Sequence, residues 1–508
     1  MASSSNDGSP VDITLVDISG HEITKGTWNA HCKVHELFQA AYKLKPGFLC
    51  KLLHGSEVLS PQRDMASLCP SFGHLTVVGM SGAGQKQLLS NAFAAVKSDG
   101  SVVTWGRPDR GGNSSLVEHH LQEGVVQVVG NGWGFAAVKS DGSVIAWGDA
   151  DGGGDSSLVE HRLQDGVVQV VGNGFAFAAV KSDGSVITWG DSDAGGDSSL
   201  VEHWLQDSVV HVVGNGFAFA AVKSDGSVIT WGDSDAGGDS SLVEHQLQED
   251  MVRVVGNGLA FAAVKSDGSV ITWGSALGGG DSSPVEHQLQ EGVVQVVGNE
   301  SAFAAVKSDG SVIAWGNDRR GGDSSLVEHQ LHEGVVQVVG NGWAFAAVKS
   351  DGSVVIWGRA DRGGDGSRVE HRLHESVVQV VVNGFAFAAV KADGSVITWG
   401  RADRGGDSSR VEHQLQEGIV QVVGNTEAFA AVKSDRSVIT WGSALGGGDS
   451  SLVEHRLQEG VVQVVGNSEA FAAVKSDGSV VTWGNARGGG DSSHVGHRLQ
   501  DCVIGVVS

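Results

Sequence analysis

Two residue combinations in the chain have the composition of chemistry. Glu-His pairs stand in the phrase "VEH", as at Glu160-His161 and Glu202-His203, and such pairs serve acid–base catalysis. Carboxylate-dense loops read "DADGGGD" from Asp149 and "DSDAGGD" from Asp191 and Asp233. Several oxygens in a short loop are what a hard cation takes. Repetition weakens both readings. The Glu-His pair recurs at one spacing in nine units, with Gly496 breaking the tenth, so it reads as architecture. The equivalent loops elsewhere read "RPDRGGN", "NDRRGGD", "RADRGGD" and "SALGGGD", which confines a cation to three units. No Ser-His-Asp grouping, Walker-type phosphate loop or HExxH motif stands out. The residues predict no catalytic site, no metal site and no cofactor, and they lean away from an enzyme.

These loops follow a Trp-Gly that returns at Trp105, Trp147, Trp189, Trp231, Trp273, Trp315, Trp357, Trp399, Trp441 and Trp483, always 42 residues apart. A large apolar side chain at one fixed strand position per unit is expected to be a structural core wedge between sheets, not a stacking ligand. Core residues cannot drift without leaving voids, whereas surface loops can. The loops therefore make a charge map. Asp149, Asp151, Asp191, Asp193, Asp233 and Asp235 lie in units two to four. Arg319, Arg320, Arg359, Arg362, Arg401 and Arg404 lie in units six to eight, and Leu277 and Leu445 in units five and nine. If the units form a circle, an acidic arc faces a basic arc, which suits a polarised protein partner. Neutral drift among recent duplicates produces the same map. These Asp and Arg residues are the candidate partner contacts. A second variable position follows "VVGN": Trp133, Phe175, Phe217, Leu259, Trp343 and Phe385, against Ser301, Glu427 and Glu469. It reads as packed at a turn, with interface anchoring as the alternative.

The unit that positions the loops reads, from Val167, "VVQVVGNGFAFAAVKSDGSVITWGDSDAGGDSSLVEHRLQDG". "VVQVV", "FAFAAVK" and "SVITW" are β-branched or aromatic and bounded by Gly, Asn or Asp, as strands are. "SDGS" predicts a type I′ hairpin with Gly at positive φ. Arg436 replaces that Gly once, at a cost of about 1 kcal/mol if the geometry is kept. "SSLVEHRLQ" reads as a fourth strand or a short helical turn. The strands are apolar on both faces and must be covered on both, as in sheets stacked around an axis or in a solenoid. "VIGVVS" from Val503 falls one period after "VVQVVG" at Val461, and the first unit lacks a clean strand of this kind. The offset predicts that the final strand completes the first sheet and leaves no edge bare.

The phrase "GNGFAFAAVKSDGSVITWGD" resembles the regulator-of-chromosome-condensation (RCC) type repeat, over about residues 84–508. The resemblance implies a mainly β fold: a β-propeller-like ring of ten 42-residue units, with an open β-solenoid as the alternative. The period is shorter than that family's usual blade, "GGDSS" stands where Gly-x-Leu-Gly is common, and ten units exceed the roughly 4 to 8 blades of ordinary propellers. The repeats also resemble the propeller regions of HECT-type (HERC-like) E3 ubiquitin ligases. The implied function is a non-catalytic protein-interaction scaffold or adaptor linked to the ubiquitin pathway. No HECT region stands within these residues, so a ligase role needs a partner. Cys502 occupies a slot where most other units carry Gly or Ser, such as Gly460. The resemblance also implies an alternative, a guanine-nucleotide exchange factor for a small GTPase. The Gly-Asp loops admit a third reading, a cation- or carbohydrate-binding repeat protein.

Residues 1–10 are small and polar, and disorder is expected there. "VDITLVDISGHEITKGTW" reads as two strands about Ser19-Gly20, with Ile13, Leu15 and Ile18 as apolar markers. "KVHELFQAAYKL" reads as a helix stopped by Pro46-Gly47. "CKLLHGSEVL" gives a strand pair about His54-Gly55, and "HLTVVGM" a last strand. This order, over residues 11–80, resembles the α+β ubiquitin-like β-grasp, and "LLHGSEVL" resembles that family's corner. A ubiquitin-like domain built into a chain implies docking to partners. The net charge of −25 opposes a nucleic-acid surface. No apolar run of spanning length and no signal-peptide core occur, so neither membrane insertion nor secretion is expected. None of Cys32, Cys50, Cys69 and Cys502 is a recurring residue of the repeat, and they form no CxxC pair. That suits a reducing compartment, cytoplasmic or nuclear.

Overall fold

The computed structural model describes residues 11–16, 22–28, 49–54, 57–58, 74–80 and 90–508. The chain divides into two compact units, Met1–Gly82 and Ala83–Ser508.

In the first unit, β1 (Val11–Val16), β2 (Glu22–Trp28), β3 (Leu49–His54), β4 (Glu57–Val58) and β5 (His74–Met80) form one sheet in the order β2-β1-β5-β3-β4. β1 pairs antiparallel with β2 and parallel with β5. Ile13, Leu15 and Leu75 are fully buried, and the two-residue interval in β1 marks one covered face. The expected disordered start, Ile18, the Ser19-Gly20 turn, the helix of "KVHELFQAAYKL" and Gly55 lie outside the described residues.

The second unit begins with β6 (Ala92–Lys97) and β7 (Val102–Gly106). A triplet follows: β8 (Val125–Gly130), β9 (Gly134–Lys139) and β10 (Val144–Gly148). The next is β11 (Val167–Gly172), β12 (Ala176–Lys181) and β13 (Val186–Gly190). The pattern repeats from β14 (Val209–Gly214) to β34 (Val480–Gly484), and β35 (Val503–Val507) comes last. Each triplet is a three-stranded antiparallel sheet, and none of the described sheets closes into a barrel.

"SSLVEHRLQ" is not a fourth strand. Glu160–Arg162 forms a 3-10 turn. The backbone of this segment meets the sheet where Val144 N–H donates to the Leu163 carbonyl at 2.9 Å, and the Leu163 side chain is fully buried. The edge is thus covered by a leucine-anchored segment, another way of blunting it.

The hairpin also differs from expectation. A type I′ turn needs positive φ at both central residues. Gly142 has φ +81°, and Asp141 is not among the positive-φ residues. Gly142 N–H donates to the Lys139 carbonyl, and Lys139 N–H to the Ser143 carbonyl. The loop is Ser-Asp-Gly, with only its last residue left-handed. Asp141 has a different role: its carboxylate accepts the Ser143 N–H at 2.9 Å and the Ser143 hydroxyl at 2.7 Å, closing an Asx turn. A Cβ at Gly142 would lie 2.6 Å from Gly166 N. Arg436 keeps the same backbone at φ +67°, a strained geometry for a side chain.

This turn makes the fold acid-sensitive. The hydroxyl of Ser143, then its N–H, holds the Asp141 carboxyl below its ordinary value; at Asp183 the Ser185 N–H contributes most. Asp225, Asp267, Asp309, Asp351, Asp393, Asp435 and Asp477 are lowered in the same way. A carboxyl depressed on folding contributes stability that is present above its unfolded pKa and lost as pH falls through the folded value. The melting temperature is therefore expected to hold down to about pH 5 and then to fall steeply below about pH 4. Thermal melts across this range check it. A triple Asp→Asn variant at 225, 267 and 309 should give a shallower acid limb.

Sheets stack through their small residues. Ala176 and Ala178 of one sheet share a core with Val212, Phe219 and Trp231 of the next. All ten repeated tryptophans are at most 4% exposed. Each indole reaches back one unit: Trp189 Nε1–H donates to the Gly153 carbonyl at 2.9 Å and Trp231 Nε1–H to that of Gly195 at 3.0 Å. Gly153 has φ +92°, and a Cβ there would sit 2.7 Å from Phe177 Cδ2, so the wedge leaves no room for a side chain.

The succession returns to its start. β35 pairs antiparallel with β6, Val506 opposite Ala95. Trp105 Nε1–H donates to the Gly489 carbonyl at 3.1 Å, Ser468 N–H to the Ser90 carbonyl at 2.9 Å, and Arg498 pairs with Glu118 at 2.8 Å. Phe93 and Trp105 share one core with Ala470, Val480 and Val503.

Candidate protein-interaction face

The two variable positions of the sequence lie side by side. A buried asparagine joins them. Asn131 Oδ1 accepts the N–H groups of Trp133 and Gly134 at 2.8 Å, and its Nδ2 donates to the Gly152 carbonyl at 2.8 Å. Asn173, Asn215 and Asn257 make the same three bonds. The Trp133 carbonyl accepts the Asp149 N–H at 3.0 Å. The turn after "VVGN" and the loop after Trp-Gly are therefore one surface element. Turns of neighbouring sheets are also tied, as by Gly174 N–H to the Gly216 carbonyl and Gly258 N–H to that of Glu300. The asparagine went unnoticed as a functional determinant. Its signal was a polar residue held at one register in nearly every unit, where an ordinary strand end accepts several turn residues.

The acidic candidates divide by role. The carboxylate of Asp149 accepts Gly152 N–H, that of Asp191 accepts Asp193 and Ala194 N–H, and that of Asp233 accepts Ala236 N–H. These three cap their own loops. Asp151, Asp193 and Asp235 are exposed at the loop tips. Among the described residues, no three His, Cys, Asp or Glu side chains gather as metal ligands would. The Glu-His pairs of "VEH" start exposed 3-10 turns, and Glu202 pairs with Arg162 of the preceding unit at 3.3 Å. Such exposed pairs contribute little to stability.

The basic candidates are mostly occupied within the chain. Arg359 and Arg401 grip Asp361 and Asp403 of their own loops, each with an Nε–Oδ1 distance of 2.7 Å. Those guanidinium groups hold both carboxyls below the usual range. Arg320 lies over the Trp343 ring at 3.9 Å and Arg362 over Phe385 at 4.7 Å. Arg404 pairs with Glu427. Arg319 is exposed. The structure adds Arg110, 3.2 Å above the Trp133 ring; burial depresses its pKa.

The turn residues are neither fully packed nor free. Trp133, Phe175, Leu259, Trp343 and Phe385 are half-buried, Ser301 is buried, and Phe217 is 37% exposed. Trp133, Phe175 and Phe217 run in a row, with successive centroids 5.5 Å apart. Leu277 and Leu445 stand at 73% and 75% exposure. The face thus offers an aromatic row beside exposed carboxylates, and elsewhere arginines already paired with rings and acids.

No protein-family model and no curated protein matches the chain. Solved structures that the chain matches include human WBSCR16, at 13% identity over 69% of this chain and 98% of that one, with a TM-score of 0.33. Prp20p of Saccharomyces cerevisiae is 13% identical over 63% of this chain and 83% of its own, at a TM-score of 0.31. The computationally designed Ika8 protein is 14% identical over 63% and 96%, at 0.29. At these scores the superpositions carry no functional argument, which rests on the residues of the chain itself.

Proposed function

We propose that the protein is a non-catalytic interaction scaffold whose second unit is a propeller-like ring of ten sheets and whose partner surface is the turn-and-loop face. The observation that carries this reading is the coupling by Asn131 and its counterparts. A rigid buried frame holds together the two segments that vary most from unit to unit. Binding residues concentrate on loops presented by such scaffolds. In this reading the first unit is a ubiquitin-like docking domain, supported by the strand order β2-β1-β5-β3-β4 with β1 parallel to β5. The scaffold then acts as an adaptor in the ubiquitin pathway, in the cytoplasm or nucleus.

Affinity capture with three forms of the full chain tests it. The forms are the native protein, a face variant (Asp193→Arg, Phe217→Ala, Asp235→Arg) and an edge variant (Leu158→Ser, Leu200→Ser). The edge leucines are at least 90% exposed. Partners identified by mass spectrometry should be lost from the face variant and kept by the edge variant. The opposite pattern, or no difference between the forms, refutes the assignment.

A further inference from the structure

An arginine at the fourth position of a loop reaches the turn residue of the next sheet. Three rings are covered in this way: Arg110 on Trp133, Arg320 on Trp343, Arg362 on Phe385. Arg404 meets Glu427 by an ion pair instead. In the acidic arc the same loop position is Gly152 and then Ala194, and the turn residues they precede are Phe175 and Phe217. These two rings stack on each other at 21°. Among the described residues no cation sits over either ring, and Asp151, Asp193 and Asp235 are exposed charges of the loops in this arc. One pattern thus has two states, a ring capped by an arginine of the preceding loop and a pair of stacked rings that no arginine of the described residues caps.

We infer that Phe175 and Phe217, with these aspartates, dock an arginine-rich segment of a partner protein. The partner supplies in trans the guanidinium that Arg110, Arg320 and Arg362 supply in cis. Arginine fits better than lysine because its planar group stacks on a ring face while its N–H fork reaches a carboxylate. The inference rests on the turn-and-loop face being the interaction surface and names the chemistry of its occupant.

Fluorescence anisotropy of a labelled nona-arginine peptide, titrated with the full chain, tests it, with nona-lysine and nona-glutamate as comparisons. Nona-arginine should bind more tightly than nona-lysine, nona-glutamate should not bind, and added salt should weaken the complex. The double variant Phe175→Ala/Phe217→Ala should weaken binding by about tenfold. Ala194→Arg, which copies Arg362, should do the same by capping Phe217 from within. Arg110→Ala uncovers Trp133 beside Asp151 and should tighten binding by about threefold. Should Ala194→Arg fail to fold, the other two variants decide the question. Absence of binding, equal affinity for the two cationic peptides, or indifference to the double variant overturns the proposal. Those results leave the scaffold reading intact as long as the face variant still loses its captured partners.

Discussion

Removing residues 503–508 is expected to destabilise the second unit by on the order of 5 kcal/mol. The segment inserts Val503 and Val506, each 4% exposed, into the core that also holds Phe93 and Trp105. It pairs with β6 from Val503 opposite Lys97 to Val507 opposite Ala94. Its last residue donates its hydroxyl to the Gly466 carbonyl at 3.1 Å. Without it, β6 presents an unpaired edge to solvent, a template for association with another chain. Hydrogen exchange is the informative readout. Amide protection should fall first in 92–97 and in the sheet of Ala470–Lys475, with sheets on the far side keeping theirs, since stacked repeats feel mainly their neighbours. Size-exclusion chromatography should show higher-order species. A truncated chain that melts like the native one, with protection in 92–97 unchanged, contradicts the closure described.

Trp231→Ala is the second large effect, about 3–5 kcal/mol. The indole is 4% exposed, stacks on Phe219 with centroids 5.3 Å apart, and bonds the Gly195 carbonyl. Alanine removes the wedge and the donor together. Trp231→Phe separates the two contributions: it keeps most of the apolar volume and leaves the Gly195 carbonyl without its donor, at about 1–3 kcal/mol. Urea unfolding of the three proteins gives the comparison. If alanine shifts stability by less than phenylalanine, the tryptophan does not act as the intersheet wedge.

Much of the second unit was legible because its constraints are local and repeated. "VVQVV", "FAFAAVK" and "SVITW" became strands within a residue or two of their expected ends. The offset of "VIGVVS" anticipated the pairing of β35 with β6. Other features depend on groups that a one-dimensional pattern does not bring together. "SDG" has the letters of a type I′ turn, yet the serine two residues on captures the carboxylate of Asp141 and leaves only Gly142 left-handed. "SSLVEHRLQ" was ambiguous because one buried leucine per segment is compatible with a strand or a turn.

The charge map changed most. Read along the chain, Arg320, Arg362 and Arg404 are a basic arc. In three dimensions each lies against the turn of the following unit, 23 residues onward, and meets Trp343, Phe385 or Glu427. The sequence alone determined the repeat, the strands and the buried wedges, because burial and backbone hydrogen bonding act on residue types at short range. Only the tertiary structure decided which charges remain available. That depends on which ring or carboxylate of the neighbouring sheet lies within reach, and a side chain's partner across a sheet interface is not encoded in its own unit.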